Sequence, residues 1–481
     1  MTRWERVRAV IEALGGDTAG VPDAGLLTLL AEVAGRPRHD VSYLVLAVIG
    51  GAIPESDDVK RFSREWRAQG LSCLVQGLMR RGRRDIGRVR IETGTVIDVT
   101  DTAASRFTTG IQRVAREAVS LWSADHDVTL VTWDPSRTRM VTLDPVERER
   151  VVGELGSPAP RETIVPFRGA LVLPEISVAL PRTQRLRTIA RHAGGRSVAI
   201  GFDCIPVTTA ETAGAGMPGA FSKYLAALAR FTTVVPISDA AADEFRGWRR
   251  MLAGAGLVGP DIETVTLPFT GTGASDPVRA AELAKQLSLG ERPLVLCVGS
   301  HEPRKNHLAL LHAAELLWQE GLEFDLVMVG GNSWDTHRFD RLVDTLRRRD
   351  RRVVTLSGVD DDVIWDLYDL ATLSVFASLN EGFGLPVAES LSHGTPVITS
   401  GFGSMRGIGE GNGALLADPR DPRSIAEHMR TLLTDEAERE RLRELARRRP
   451  EESWQHYADT LWRIAHPAPP EPPAPVRKPA P

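Results

Sequence analysis

Two glutamates eight positions apart, Glu381 and Glu389, enclose a segment that could bind a ligand carrying both hydroxyl groups and phosphate. An apolar run directly before Glu381 predicts a strand that leads into this segment. Gly382 and Gly384 leave the backbone unshielded, and Pro386 predicts a helix start, because proline suits the first helical position. Free amides at a helix start attract an anion. We therefore expect a phosphate or sugar between two carboxylates; the alternative is that both glutamates only complement the helix dipole.

A second segment offers two adjacent cations, Arg304 and Lys305. It follows an apolar run at 294–298 that leaves through Gly299 and Ser300 into a loop. A diphosphate that departs as a leaving group needs positive charge, which a guanidinium supplies as a fork and an ammonium as a point charge. The pair predicts a diphosphate site, with an ordinary surface pair as the alternative.

Two further segments lie in the first half of the chain. Thr109 and Gly110 open a predicted helix, where backbone amides could meet a phosphate or an acceptor. Asp203 follows the apolar run 197–201 and could cap the next helix.

Short apolar runs that alternate with helical stretches must position these residues. Continuous apolar strands between helices predict parallel sheets covered on both faces, and such sheets bind ligands at the carboxyl ends of their strands. The predicted strands are 96–99, 128–133, 170–173, 197–201, 233–237 and 263–267 in one domain, and 294–298, 326–329, 353–356, 373–376, 396–399 and 414–416 in another.

This alternation divides the chain into six predicted parts. They are a helical module at 1–90, a first Rossmann-like domain at 91–270, a linker at 271–292, a second Rossmann-like domain at 293–450, a last helix at 451–466 and a proline-rich tail at 467–481 that we expect to be disordered. The helical module shows no catalytic constellation, which favours a role in packing, oligomerisation or partner docking.

The composition narrows the class of protein. The 481 residues are 42% hydrophobic and 25% charged, as in soluble globular proteins, and a net charge of −4 gives no general attraction to nucleic acid. Three scattered cysteines suit a reducing compartment. The apolar run at 43–54 is too short to span a bilayer. We therefore expect a cytoplasmic protein, with the arginine-rich segment near residue 85 as a possible contact to anionic lipid.

The segment from Glu381 to Glu389 resembles the Glu-x7-Glu motif of the retaining glycosyltransferases of family 4, with its Gly-Phe-Gly-Leu-Pro core intact. Residues 302–306, Glu-Pro-Arg-Lys-Asn, resemble a second motif of that family. The resemblance covers about 95–465 and implies an α/β GT-B fold, in which two Rossmann-like domains face a cleft.

The resemblance also implies roles for individual residues. Glu389 would bind the ribose hydroxyls, and Arg304 and Lys305 the diphosphate. Glu381 would bind the transferred sugar together with the backbone amides that follow it. The implied donor site comprises Gly299, Ser300, Gly331, Val359, Gly382, Phe383, Gly384, Leu385 and Glu389. Thr109 and Gly110 would form a first-domain loop at the site, and Asp203 would be a catalytic residue beside Glu381, Arg304 and Lys305. The resemblance also implies that 91–270 is the acceptor domain, that 293–450 is the nucleotide-sugar donor domain, and that the helix at 451–466 closes onto the first domain.

Three positions depart from the family pattern. Phe202 stands at the usual histidine, Ser300 at a common arginine, and Gly407 at a common glutamate. Two alternatives therefore remain open beside a transferase: a non-catalytic partner that keeps the fold, and a GT-B sugar-nucleotide epimerase or phosphorylase.

The expected activity is transfer of a hexose, mannose or rhamnose first, from a nucleoside diphosphate sugar to a glycan or glycolipid hydroxyl. GDP-mannose is the first donor that the resemblance suggests. Neither a metal nor a cofactor is expected, because the acidic run at 360–362 is typical of a helix N-terminus.

Overall fold

The computed structural model describes residues 1–81, 87–105, 109–156, 158–269, 273–331, 333–448 and 453–468. Within these ranges the chain forms two sheets, each covered by helices. An apolar cluster runs through both domains, since Val114 and Phe202 of the first pack with Phe383 and Met405 of the second.

Among the described residues before the first sheet, the chain forms five helices. Thr2 caps the first one, because its hydroxyl accepts the Glu5 N–H at 3.1 Å. Val7 and Val45 share a continuous apolar core with Val89 and Ile164 of the sheet. The helical segment is therefore built into the first domain. Its helices are α1 (Arg3–Ala13), α2 (Asp23–Ala34), α3 (His39–Gly50), α4 (Ser56–Gln69) and α5 (Leu71–Arg81).

In the part of the first domain that the structure describes, the sheet has nine strands in the order β1-β5-β4-β3-β2-β6-β7-β8-β9. The strands are β1 (Val89–Glu92), β2 (Thr95–Asp98), β3 (Val128–Trp133), β4 (Met140–Thr142), β5 (Thr163–Pro166), β6 (Ala170–Leu173), β7 (Ser197–Gly201), β8 (Thr233–Pro236) and β9 (Asp261–Ile262). The helices are α6 (Thr100–Ala104), α7 (Gly110–Asp125), α8 (Pro145–Val152), α9 (Leu180–His192), α10 (Ile205–Thr208), α11 (Met217–Leu228) and α12 (Asp239–Gly254).

The first sheet is parallel as predicted, except that β4, which the sequence did not predict, runs antiparallel to both β3 and β5. A tight turn reverses the chain after β3. The Asp134 carboxylate accepts the N–H of Thr138 at 2.8 Å and of Arg139 at 3.0 Å. Three residues then suffice for β4, which explains why it gave no strand signal.

The strand predicted at 263–267 was wrong in position, since β9 covers Asp261–Ile262, immediately before that range. Glu263 and Val265 still donate to the carbonyls of Val234 and Pro236, at 3.2 and 3.1 Å. Pro236 has no N–H to return. Hydrogen bonds therefore run in only one direction between the segment after β9 and the end of β8, so the strand pairing ends there.

The second sheet has six parallel strands among the residues described, in the order β12-β11-β10-β13-β14-β15. The six strands predicted from the sequence are confirmed to within one residue at each end. They are β10 (Leu294–Val298), β11 (Asp325–Val329), β12 (Val353–Leu356), β13 (Leu373–Phe376), β14 (Val397–Ser400) and β15 (Ala414–Ala417).

The order of the second sheet reverses between β10 and β13, the place where open α/β sheets bind ligands. The helices of this domain are α13 (Pro277–Gln286), α14 (His307–Gln319), α15 (His337–Arg348), α16 (Asp361–Leu370), α17 (Leu385–Ser392), α18 (Gly403–Gly409), α19 (Pro422–Thr434) and α20 (Glu436–Arg447).

The last described helix, α21 (Trp454–Ala465), returns to the first domain. Trp122 of α7 donates its indole N–H to the carbonyl of Ala458 at 2.9 Å, and the His126 ring stacks on Trp462 at 3.7 Å. The tail predicted at 467–481 lies outside the described residues beyond 468.

Candidate active site

The loop after β13 carries the candidate site, and its backbone is set by the turn into α17. β13 is buried along its whole length. Gly384 has a φ of 111°, a conformation that favours glycine. The helix begins at Leu385, one residue before Pro386. Amides at the start of α17 therefore lie directly after Glu381 and the two glycines, as the sequence predicted.

Gly382 is required by the opposite domain. A Cβ atom on Gly382 would lie 2.3 Å from the main-chain oxygen of Phe202 and 3.1 Å from Oδ2 of Asp203. Ser238, which caps α12, also donates its hydroxyl to the carbonyl of Gly382. The close approach of the two domains explains this glycine, which the sequence analysis had attributed to ligand access.

Glu381 lies at the centre of a charged cluster. Its Oε1 accepts hydrogen bonds from Lys305 Nζ and Ser378 Oγ, each at 2.7 Å, and its Oε2 lies 2.7 Å from a terminal guanidinium nitrogen of Arg304. Burial disfavours the carboxylate, but Lys305 and Arg304 outweigh burial and lower the pKa of Glu381 to about 2. Glu381 is therefore ionised at any ordinary pH.

Arg304 and Lys305 are held in place by more than Glu381. Arg304 also pairs with Glu302 and donates to the carbonyl of Asn380 at 2.8 Å. Burial acts against the charge of Arg304, but Glu381 and Glu302 raise its pKa above the ordinary value. Lys305 Nζ lies 4.9 Å from the ring centroid of Phe376, over the end of β13. Both cations thus converge on the same loop.

The carboxyl ends of β10 and β11 meet beside this cluster. A Cβ on Gly330 would lie 2.0 Å from the carbonyl oxygen of Gly299, so only glycine fits. The carbonyl of Gly331 accepts the His301 N–H at 2.9 Å, and that of Ser300 accepts the Glu302 N–H at 2.9 Å. These contacts fix the loop that bears the two cations.

A cavity of about 270 Å³ opens at the ends of β11 and β12. Val359, half-buried, follows β12 on the loop into α16. The cavity is lined by His301, Gly330, Phe339, Asp340, Val343, Asp344, Arg347, Thr355, Leu356 and Ser357.

Glu389, in the second turn of α17, is held from both domains. Arg113 of α7 in the first domain donates to Oε1, and the Tyr368 hydroxyl donates to Oε2 at 3.2 Å. Arg113 also pairs with Asp361 at 3.2 Å, and its guanidinium carbon lies 5.2 Å from the ring centroid of Trp365. The Glu389 side chain is 9% exposed.

The first domain supplies two other predicted residues to this interface. The Thr109 hydroxyl caps α7, and a Cβ on Gly110 would lie 3.2 Å from Leu385 Cδ1. Gly110 therefore faces the start of α17. Residues 106–108, which belong to the same predicted motif, lie outside the described residues.

Asp203 lies between the domains, and its Oδ1 accepts the N–H of Ile205 at 3.0 Å. Asp203 thus binds the first backbone N–H of α10, in line with the helix-capping role that the sequence allowed. Burial raises the pKa of Asp203 to about 6; Arg304 counteracts this, while Glu244 and Glu381 add to it. Asp203 consequently changes charge near neutral pH beside the Glu381 cluster.

Two phenylalanines beside the candidate site have buried side chains. Phe383 is 3% exposed and its ring lies 5.7 Å from that of Phe269, so its side chain is part of the core between the domains. Phe202, at the usual histidine position, is likewise buried at 4% exposure. Only the backbone of Phe383 remains available to a ligand.

The acidic run at 360–362 forms the start of α16, as predicted. Asp360 is its N-cap residue, Asp361 pairs with Arg113, and Asp362 pairs with Arg279 at 3.4 Å. Across the described ranges, no group of three or more histidine, cysteine, aspartate or glutamate side chains is arranged to hold a metal ion.

Sequence reasoning missed Arg113, Tyr368, Ser378 and Ser404. Ser404 donates to the carbonyl of Glu381 at 2.8 Å from α18, the helix in which Gly407 departs from the family pattern. Arg113 stood within the segment that opens α7, three residues after Gly110. That spacing puts Arg113 one turn further along the helix face that carries Gly110. The spacing was the sequence signal that could have identified Arg113 as a site residue.

The second domain matches a known family. Residues 278–449 match the description Glycosyl transferases group 1. The chain is 27% identical over 323 residues to the serotype-specific mannosyltransferase WbdA of Escherichia coli, covering 63% of this chain and 38% of that protein. It is 33% identical over 165 residues to O-antigen chain mannosyltransferase B of E. coli, covering 34% and 43%. The chain thus spans less than half the length of these curated relatives.

Most of the chain also aligns with a solved structure. The structure of Anabaena Alr3699/HepE in complex with UDP and glucose aligns with a TM-score of 0.56 at 15% identity, covering 78% of this chain and 99% of that one. The fold is therefore the GT-B architecture expected from the sequence. The match of residues 278–449 to glycosyl transferases group 1 confirms the resemblance for this part of the chain.

No helix in the described part of the chain combines the length and the apolar character needed to cross a bilayer.

Proposed function

We propose that this protein is a retaining hexosyltransferase that moves a sugar from a nucleoside diphosphate donor to a hydroxyl of a glycan or glycolipid. The observation that carries the proposal is the convergence of Arg304 and Lys305 on Glu381 at the strand-order reversal of the second sheet. Cations at this point can stabilise a departing diphosphate. Mannosyltransferase relatives with the same domain support the sugar class.

The donor would lie along the carboxyl edge of the second sheet. Glu389 would accept hydrogen bonds from the ribose hydroxyls, and the cavity at the ends of β11 and β12 would take the base. Arg304 and Lys305 would contact the diphosphate, with Gly299 and Ser300 as backbone contacts. Glu381 would bind the sugar.

The chemistry needs no nucleophile from the protein. The bond between the anomeric carbon and the diphosphate oxygen breaks, and the acceptor oxygen attacks the same face of the sugar. The acceptor's proton passes to the departing phosphate oxygen. Asp203 would accept a hydrogen bond from the acceptor hydroxyl, since it lies in the first domain opposite Gly382.

GDP-mannose is the first donor to test, followed by dTDP-rhamnose and UDP-sugars. We propose that the protein acts without a metal or cofactor, in the cytoplasm or at the inner membrane face, in cell-surface polysaccharide assembly. The paired cations support metal independence, because they supply the charge that a divalent ion supplies in other transferases.

Thermal unfolding of the purified protein with GDP, UDP, dTDP and ADP, with and without EDTA, tests the proposal. A ligand at one hundred times its dissociation constant stabilises the folded state by about 2.7 kcal/mol. Stabilisation by one nucleotide, unchanged by EDTA, is the expected result. Product analysis with that nucleotide's sugars then separates the classes: a transferase consumes donor only with acceptor, an epimerase or phosphorylase acts without a glycan acceptor, and a non-catalytic partner consumes none.

A further inference from the structure

Glu389 has both carboxylate oxygens fixed, one from each domain. Arg113 of α7 donates to Oε1, and Tyr368 of α16 donates to Oε2. Tyr368 is fully buried, and its hydroxyl also reaches the carbonyl of Pro386 at 3.2 Å. The orientation of Glu389 is therefore set by a contact within its own domain and by one that crosses to the other.

Arg113 is itself held in one position. Asp361 accepts from a second guanidinium nitrogen at 3.2 Å, and the guanidinium lies over the Trp365 ring. His393 stacks near that ring at 5.5 Å with an interplanar angle of 3°. The Arg113 side chain is only 14% exposed. A guanidinium fixed by two carboxylates and an aromatic face has little freedom to turn elsewhere.

The same aromatic ring contacts the segment between the domains. A Cβ on Gly273 would lie 2.0 Å from Trp365 Nε1. Asp366, which directly follows Trp365 in α16, accepts the Asp276 N–H at 2.9 Å. Arg113 of the first domain, Gly273 of the linker and His393, directly after α17, therefore all lie around Trp365. A shift between the domains must move Arg113 relative to Glu389.

We propose that Arg113 is the positioning residue for the donor ribose, and that it couples donor affinity to the juxtaposition of the two domains. The inference rests on the proposed function, which assigns Glu389 to the ribose. Each carboxylate oxygen accepts more than one hydrogen bond, so the ribose hydroxyls bind Glu389 while Arg113 stays in place. With the domains apart, Glu389 loses Arg113 and binds ribose less well.

Equilibrium binding tests this role in the full-length protein. The variants are Arg113→Met, Glu389→Gln and the double variant, measured with the nucleotide that stabilises the wild type and with its nucleoside. Arg113→Met is expected to weaken both ligands by about tenfold, the loss of one hydrogen bond to a charged group. The equal loss for the nucleoside separates a ribose effect from a direct contact with phosphate.

The double variant should bind no more weakly than Glu389→Gln alone, because the two residues act through one carboxylate. Unchanged or tighter nucleotide binding by Arg113→Met would overturn the role, since tighter binding means that Arg113 competes with ribose. Additive losses would also overturn it. If the wild type binds no nucleotide, the proposed function fails and the role of Arg113 with it.

Arg430→Met is the matched control, because Arg430 pairs with Glu320 at 2.7 Å on the surface of the second domain. It should leave nucleotide affinity unchanged. Arg113→Lys keeps the charge, and it should recover part of the affinity and fold if Arg113→Met does not. If a folded Arg113→Lys protein recovers no nucleotide affinity, Arg113 does not act through the attraction of its charge to Glu389.

Discussion

Substitution of Glu381 by glutamine should reveal how strongly the charged cluster depends on this carboxylate. Lys305, Arg304 and Ser378 all donate to Glu381, whose side chain is 10% exposed. Its pKa falls from 4.5 to about 2, and a difference of one pKa unit corresponds to about 1.4 kcal/mol. Ionised Glu381 therefore stabilises the fold by roughly 3 kcal/mol at neutral pH.

The pH dependence follows from the direction of this shift. A lowered carboxyl pKa adds stability that is complete above the unfolded value of 4.5 and declines as pH falls toward 2. The free energy of unfolding of Glu381→Gln should lie roughly 3 kcal/mol below that of the wild type at pH 7. That difference should narrow by roughly 1 kcal/mol at about pH 3.5, because part of the contribution of Glu381 is then lost.

Urea unfolding followed by tryptophan fluorescence at both pH values measures the difference. Glu320→Gln is the matched control, since Glu320 pairs with Arg430 on the surface at 46% exposure and should change stability by less than about 1 kcal/mol. A cost of Glu381→Gln as small as that of the control, or a difference that does not narrow with acid, would refute the assignment of Glu381 as the anion that holds both cations.

Three further predictions concern activity and the contact between the domains. Lys305→Ala should abolish transfer to the acceptor, because it removes a cation from the departing diphosphate; turnover at the wild-type rate would remove Lys305 from the site. Asp203→Asn should eliminate the rise of kcat/KM with pH through about 6. The Asp203→Asn variant should also have a higher thermal midpoint at pH 7, since a raised carboxyl pKa means that ionised Asp203 destabilises the fold. A variant that keeps the wild-type pH profile and full activity would contradict the role of Asp203 in transfer. Gly382→Ala should lower nucleotide affinity and activity, because the added Cβ would lie 2.3 Å from the Phe202 carbonyl oxygen and push the two domains apart. Small-angle scattering should then show a more open particle. A particle of wild-type dimensions with unchanged affinity would contradict this account.

The buried ionic cluster of the first domain is a separate structural feature. Arg182, fully buried, contacts Asp98 at 3.0 Å and Asp101 at 2.7 Å, and it also pairs with Glu175. Burial raises the pKa of Glu175 to about 7, against the effect of Arg182. The cluster joins the ends of β2 and β6 to α6 and α9, and so fixes the carboxyl edge of the first sheet.

The sequence by itself determined the second domain almost completely. Its strands are continuous apolar runs between helices, a local pattern that survives whatever the rest of the chain does. The glycine and proline signals around Glu381 likewise predicted a turn into a helix, and α17 begins there. Arg304 and Lys305 could be placed beside Glu381 because parallel strands end at one edge of a sheet.

Tertiary structure alone decided how the two domains complete the site. Arg113 and Glu389 are 276 residues apart, and no local pattern relates them. Gly382 looked like an opening for a ligand, yet the Phe202 carbonyl of the other domain occupies that side. The Phe383 side chain is buried between the domains, which leaves its backbone for the predicted donor contact. Contacts of this kind depend on the path of the whole intervening chain, whereas periodicity and turn chemistry depend only on near neighbours.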